Sequence, residues 1–273
     1  MERQLSKRGR AIKPQHGTSA AKGRSAAKGG GAPRPVALVT GAARRVGRAI
    51  ALELARSGFD VVVHWRSSRA DAEETAREVE ALGAKSWLVR ADLSVVAEIE
   101  GLFGVVAELV GRLDLLVNNA SSFYATPLGS VTEEQWDELL ASNLKAPFFC
   151  AQFAAPLLQA SGRGQIVSLL DSAATRPFPR YLPYSAAKAG LLSLTHGLAR
   201  ALAPKVRVNA VAPGPVLLPE EYDAAQRAGA VDATLLQRAG TPEDVARTVA
   251  FLATGPDYLT GAVIPVDGGR SIA

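Results

Sequence analysis

From Val36 onward, short unbroken apolar runs rich in β-branched residues alternate with longer stretches in which apolar residues recur every three or four positions. The first pattern reads as strands buried on both faces, and the second as amphipathic helices. The pattern predicts strands at Val36–Thr40, Asp60–Trp65, Ser86–Arg90, Leu113–Asn118, Gln165–Leu170, Val206–Val211 and Ala262–Val266. It predicts helices at Val46–Ser57, Ala70–Leu82, Val95–Gly111, Glu133–Leu144, through the alanine-rich stretch near 150–160, and at Tyr184–Leu202 and Pro242–Ala253. Strands separated by helices need crossover connections, so they run parallel with helices on both faces. The expected architecture is α/β: one three-layer αβα domain over residues 35–273 with a doubly wound parallel sheet. The stretch Pro213–Gly240 has no strand pattern and mixed polarity, and reads as a mobile lid over a substrate site.

Composition changes this picture in three places. No apolar run approaches the ~20 residues that span a bilayer, so no membrane partner is expected. The single cysteine, Cys150, rules out an internal disulfide framework and fits a reducing compartment, so a cytoplasmic location is expected. It sits in the apolar run Pro147–Ala151, which assigns it to packing rather than nucleophilic chemistry. The histidines His16, His64 and His196 are scattered, so no metal site is expected.

The formal charge of +5 is unevenly placed. Residues 1–34 hold nine of the 31 Lys and Arg and one of the 26 acids, which leaves 22 basic against 25 acidic residues, net −3, in the rest. The first 34 residues lack an apolar stripe and are expected to form a disordered basic tail. They also lack the apolar segment of a secretory signal. Their composition leaves open an organelle transit peptide, a weak nucleic-acid-binding arm, or a dispensable solvated run; the last is the simplest, and no nucleic-acid partner is expected.

The candidate chemistry centres on Tyr184 and Lys188, four residues apart and so on one helical face. An ammonium beside a phenol is expected to lower the phenol pKa from about 10 toward the working range of a proton donor. Thirteen residues before Tyr184 stands Asp171. The neighbouring Ser172 is expected to point to the opposite side of an extended segment. A second candidate is Thr40-Gly41-Ala42-Ala43-Arg44-Arg45-Val46-Gly47, a glycine-rich turn between the first strand and the first helix. Gly41 would permit the turn and Gly47 close packing at the helix start, with a pyrophosphate over the helix N-terminus. After the second strand comes His64-Trp65-Arg66-Ser67-Ser68, without an acid. Arg66, Ser67 and Ser68 suit a ribose 2′-phosphate, so NADPH is the expected cofactor.

Together these segments resemble the short-chain dehydrogenase/reductase family. The resemblance rests on the glycine turn, Asn118-Asn119-Ala120, Asn143, Tyr184-x-x-x-Lys188, Arg207-Val208-Asn209 with Pro213-Gly214, and Thr260-Gly261 with Val266-Asp267-Gly268-Gly269. It implies a Rossmann-type fold and a homotetramer. It also implies NADP(H) bound by Gly41, Arg45, Val46, Gly47, His64, Arg66, Ser67, Ser68, Asp92, Leu93, Asn119, Ala120, Ser121, Tyr184, Lys188, Pro213 and Gly214. The implied catalytic group is Asp171, Tyr184, Lys188 and Asn143, with Asn143 helping to hold a water-linked proton path to Lys188.

Three departures from the common family pattern resemble the pteridine reductases: Arg45 in place of the middle glycine, Ser121-Ser122-Phe123 after Ala120, and Asp171 in place of a serine. They imply hydride transfer to a C=N bond of a pterin or folate, with Arg45, Ser121, Phe123, Asp171 and Tyr184 at the substrate. Phe123 would stack on the flat ring. The competing expectations are an NADPH-dependent carbonyl reductase, such as one for 3-oxoacyl thioesters, and a non-catalytic NADPH-binding regulator.

Overall fold

A computed structural model describes residues 33–218 and 222–273. Its elements are β1 (Val36–Val39), α1 (Arg45–Arg56), β2 (Asp60–Trp65), α2 (Arg69–Ala81), β3 (Ser86–Arg90), α3 (Val96–Val110), β4 (Leu115–Asn118), α4 (Glu133–Leu140), α5 (Ala146–Ala160), β5 (Gly164–Leu169), α6 (Leu182–Leu202), β6 (Val206–Pro213), α7 (Ala224–Asp232), α8 (Pro242–Thr254) and β7 (Val263–Val266). The seven strands form one sheet in the order β3-β2-β1-β4-β5-β6-β7, with every pair parallel.

Strand alternation divides the core into two layers. Ala37, Val39, Val61, Val63, Leu115 and Val117 face α1, α2 and α8, where Ile50, Leu54, Val79, Val249 and Leu252 meet them. Val36, Leu38, Val62 and Leu116 face the other way, against Ile99, Leu102 and Val106 of α3 and Cys150, Ala154 and Leu158 of α5. Each fully buried Leu or Ile contributes about 1.5–3 kcal/mol of transfer free energy. A sheet apolar on both faces is therefore stable only with both helical layers in place. Cys150 is buried, and burial pushes its thiol up to about 12, which fits the expected packing role.

The chain order reverses between β1 and β4, and a crevice opens there at the carboxyl ends of the strands. The loops after β1, β4, β5 and β6 converge on it.

Three local differences from the sequence expectation affect the site. The helix expected over Glu133–Leu144 gives way at Leu140 to a π-helical turn, Ala141–Lys145, that runs into α5 and carries Asn143. Helix α6 begins at Leu182 rather than Tyr184, with Pro183 near its start, so Tyr184 lies in its first turn. The segment after β6 contains α7, opened by a capping box between Asp223 and Gln226. Arg34 was assigned to the basic tail, yet its guanidinium donates to the carbonyls of Gly83, Ala55 and Phe59 and pairs with Asp60. The folded unit thus begins at Arg34. Of the rest of the expected tail, residues 1–32 lie outside the described residues.

Candidate active site

The glycine turn is shaped by backbone geometry and by a neighbouring loop. Gly41 has φ +63°, a left-handed conformation that costs glycine little. A Cβ on Gly47 would collide with the Gly41 carbonyl and lie 2.6 Å from Asn119 Nδ2, so the start of α1 packs against the turn only without a side chain. Thr40 Oγ1 accepts hydrogen bonds from the amides of Asn119 (2.9 Å) and Ala120 (3.0 Å), and Asn119 Nδ2 donates to the Thr40 carbonyl (2.7 Å). The first turn of α1 has neither a capping side chain nor an acid, so its amides are open to an anion. Arg45 occupies a left-handed conformation, φ +56°, where its Cβ is disfavoured, and its guanidinium reaches the Leu217 carbonyl at 3.4 Å.

His64 was assigned to cofactor binding, but both its ring nitrogens are engaged by backbone. Nδ1 accepts from the Gly41 amide (3.0 Å), which leaves Nε2 protonated and donating to the Ala91 carbonyl (3.1 Å). Burial drives its pKa from 6.5 to about 4, against the raising effect of the Ala91 bond and Asp92. It is a neutral strut between the glycine turn and the loop after β3. On that loop Asp92 accepts from the amide and hydroxyl of Ser94. Partial burial raises the Asp92 pKa, but the Ser94 bonds and the Arg66 and Arg90 charges outweigh it and lower the pKa overall. Arg66 and Ser67 are exposed beside it.

The reacting groups meet where β5 ends and α6 begins. Asp171 is extended and caps a short 3₁₀ turn, Ser172–Ala174, accepting from the Ala173 amide at 2.7 Å. Its other oxygen, Oδ2, accepts from the Tyr184 hydroxyl at 2.9 Å. Ser172 is not turned away from the cleft: it is buried at the cleft wall, and its hydroxyl donates to Asp171 Oδ1 at 3.2 Å. The cap re-curls the chain, so the extended geometry assumed for this pair ends at Asp171.

Lys188 is buried and donates to the Leu169 carbonyl at 2.8 Å, and its Nζ lies 5.5 Å from the Tyr184 ring centre. Burial brings the Lys188 pKa down to about 8, opposed by the Asp171 charge. The expected depression of the Tyr184 pKa is reversed: burial first, then the Asp171 charge and hydrogen bond, raise it well above 10. The carboxylate, in direct contact with the hydroxyl, outweighs the ammonium.

Asn143 does not line the cleft. Its Oδ1 accepts from Ser121 Oγ at 2.6 Å, and its Nδ2 donates to the carbonyls of Ser122 (2.9 Å) and Leu139 (3.0 Å). These bonds fix the 121–122 loop and run to no group on Lys188. The π-helical turn places the amide in that role.

Phe123 is 38% exposed and is not a core residue. One face stacks on Tyr181 (4.6 Å between centres, 6° between planes), and it meets the Tyr184 ring edge-on at 4.8 Å. Tyr181 in turn shares a hydrogen bond with Tyr222 from the segment before α7 (3.2 Å between hydroxyl oxygens).

A cleft of about 1010 Å³ joins these groups, and every expected catalytic, cofactor and substrate residue except the catalytic candidate Asn143 lines it. It is also walled by Phe178, Tyr181, Leu217, Tyr222 and Arg270, which sequence reasoning missed. The aromatic spacing Phe178–Tyr181–Tyr184 was a readable signal for two of them, whereas Tyr222 and Arg270 stand in no motif. Among the described residues no cluster of side chains could hold a metal, and no helix is long and apolar enough to cross a membrane.

Residues 41–271 match the family described as enoyl-(acyl carrier protein) reductase. The chain is 37% identical over 238 residues to a 3-oxoacyl-[acyl-carrier-protein] reductase of Staphylococcus aureus, covering 85% of this chain and 96% of that protein. It is 36% identical to a short-chain dehydrogenase/reductase of Hericium erinaceus, covering 86% of this chain and 97% of the relative. The crystal structure of acetoin dehydrogenase from Enterobacter cloacae superposes with a TM-score of 0.82 at 33% identity, covering 89% and 98% of the two chains. With the seven-stranded sheet, the glycine turn and the Tyr184–Lys188 pair, these matches place the chain in the short-chain dehydrogenase/reductase family of NAD(P)-dependent oxidoreductases.

Proposed function

We propose that the protein is an NADPH-dependent reductase acting on a C=N bond of a pterin or folate. The observation that carries this reading is the 2.9 Å hydrogen bond from the Tyr184 hydroxyl to Asp171 Oδ2. When a ketone takes up hydride, its oxygen becomes negative, and a neighbouring carboxylate opposes that charge. When a ring nitrogen is protonated ahead of hydride transfer, the C=N bond becomes a cationic iminium that the same carboxylate stabilises and that hydride addition to its carbon neutralises.

The residues fit the cofactor. The uncapped start of α1 and the left-handed Gly41 can receive a pyrophosphate, and Arg66 with Ser67 and Ser68, free of any acid, suits a 2′-phosphate. When bound, the nicotinamide supplies the hydride. Tyr184 stays protonated through neutral pH and holds the proton destined for the substrate nitrogen; Asp171 positions that hydroxyl and, open to the cleft, can be reprotonated from water. Lys188 sets a cation beneath the phenol and can reach the nicotinamide ribose. Phe123, part-exposed and lining the cleft, can present its ring to a flat substrate. Arg45, at the junction of turn and lid segment, can contact both phosphate and substrate, and Ser121 is held by Asn143 at the cleft wall.

A second reading, reduction of 3-oxoacyl thioesters, is favoured by the name of the Staphylococcus relative. Steady-state NADPH oxidation with dihydrobiopterin and dihydrofolate against acetoacetyl thioesters separates the two. Turnover of thioesters alone would refute the C=N reading. Tyr184→Phe should nearly abolish turnover while NADPH still binds. The homotetramer implied by the family and the cytoplasmic setting expected from the single cysteine are part of the proposal, and light scattering of the purified chain tests the former.

A further inference from the structure

We propose that Arg270 forms the anion-binding end of the substrate site, and that the preferred substrate is a flat heterocycle whose side chain ends in a carboxylate, as in a pteroylglutamate. This rests on the reductase reading above.

Successive ring contacts lead from the reactive hydroxyl to this guanidinium. Tyr184 meets Phe123 at 4.8 Å, Phe123 stacks on Tyr181 at 4.6 Å, Tyr181 meets Phe178 at 6.4 Å, and the Arg270 guanidinium lies 5.1 Å from the Phe178 ring centre. All five residues border the same cleft. An aromatic wall suits a planar stem longer than a bare pterin. A guanidinium over a ring face makes that contact without using its N–H donors, which can then take a carboxylate in a two-pronged pair.

The side chain is presented on a built scaffold. Gly268 (φ +63°) and Gly269 (φ +83°) make the turn, and Asp267 accepts from the amides of Gly269 (3.0 Å) and Ser271 (2.8 Å). Arg176 then clamps the C-terminal turn by donating to the carbonyls of Arg270 (3.2 Å) and Ala273 (3.0 Å). No carboxylate pairs with Arg270 among the described residues. Among the described residues, the acids that line the substrate end of the cleft are engaged elsewhere: Glu138 accepts from the Tyr124 hydroxyl, and Asp171 from Tyr184. Arg180, exposed at the same end, adds a second positive charge.

The test compares dihydrofolate, which carries the carboxylate tail, with dihydrobiopterin, which lacks it. Arg270→Gln should lower the kcat/KM ratio of dihydrofolate to dihydrobiopterin about 10-fold, expressed through KM, because one charge-assisted pair is lost. Arg176→Gln, which loosens the turn without removing the cation, should lower it by a smaller factor. An equal effect on both substrates, or no effect on either, would overturn the proposal. If wild-type enzyme reduces neither pterin, the reductase reading fails by itself. The tail site is then read by calorimetric binding of p-aminobenzoylglutamate: binding lost in Arg270→Gln supports it, and equal or absent binding overturns it. Acetoacetyl-coenzyme A serves as the phosphate-bearing arm; an Arg270 effect seen there but not with dihydrofolate would also overturn the carboxylate assignment.

Discussion

Replacing Asp171 with asparagine isolates the charge that distinguishes this site. The shape is conserved, but the bonding is not. Asp171 Oδ1 accepts from the Ala173 amide at 2.7 Å, so the asparagine carbonyl oxygen must stay there and its NH2 group turns toward Tyr184. The phenol oxygen then accepts where it formerly donated, and its proton loses its partner. A hydrogen bond to a charged group contributes about 1.5–3 kcal/mol, equivalent to roughly 10- to 150-fold in rate or one to two pKa units. The Asp171 charge raises the pKa values of both Tyr184 and Lys188. Its removal lowers both, so the alkaline limb of the pH–rate profile, set near 8 by Lys188, should move to lower pH. NADPH oxidation followed across the pH range should show kcat/KM for a dihydropterin falling about 10- to 100-fold with that limb displaced, while any ketone activity falls less or rises. A limb that stays in place or moves upward, or an equal loss on ketones, would refute the electrostatic reasoning.

Other outcomes follow from the same geometry. Gly47→Ala should weaken NADPH binding at least 10-fold in a fluorescence titration, because its methyl would have to displace the Gly41 carbonyl or Asn119. His64 is neutral when folded, with its pKa lowered from 6.5 to about 4, so the unfolded chain binds more protons between those values and stability falls as pH drops through that window. The loss from this one group approaches about 3 kcal/mol by pH 4. Denaturant titrations at several pH values should show it, and His64→Gln should flatten the dependence while raising the KM for NADPH. Arg66→Ala should reduce the preference for NADPH over NADH by roughly 10-fold in kcat/KM, since one phosphate contact is lost.

The strands were legible because a sheet buried on both faces demands unbroken apolar runs, and Val36–Val39 or Asp60–Trp65 can hardly be read otherwise. The helix boundaries at the site were not. The apolar period continues through Leu140 to Leu144, and nothing local announces that the ladder widens there to deliver Asn143 to the 121–122 loop. Helix α7 did carry a local signal, the Asp223–Gln226 capping box, masked by the mixed polarity of its segment.

Residue types and spacings alone fixed which groups could do chemistry: a phenol and an amine one helical turn apart, a carboxylate where a hydroxyl is common, and a glycine turn at the head of the first helix. Their charge states were decided in three dimensions. Ionisation depends on burial and on which charges lie nearest. The phenol therefore answers to Asp171, thirteen residues away in sequence and 2.9 Å away in space, more than to Lys188 one turn along its own helix. The same holds for His64: its partners Gly41 and Ala91 come from other loops, and only the packed sheet edge brings those loops together.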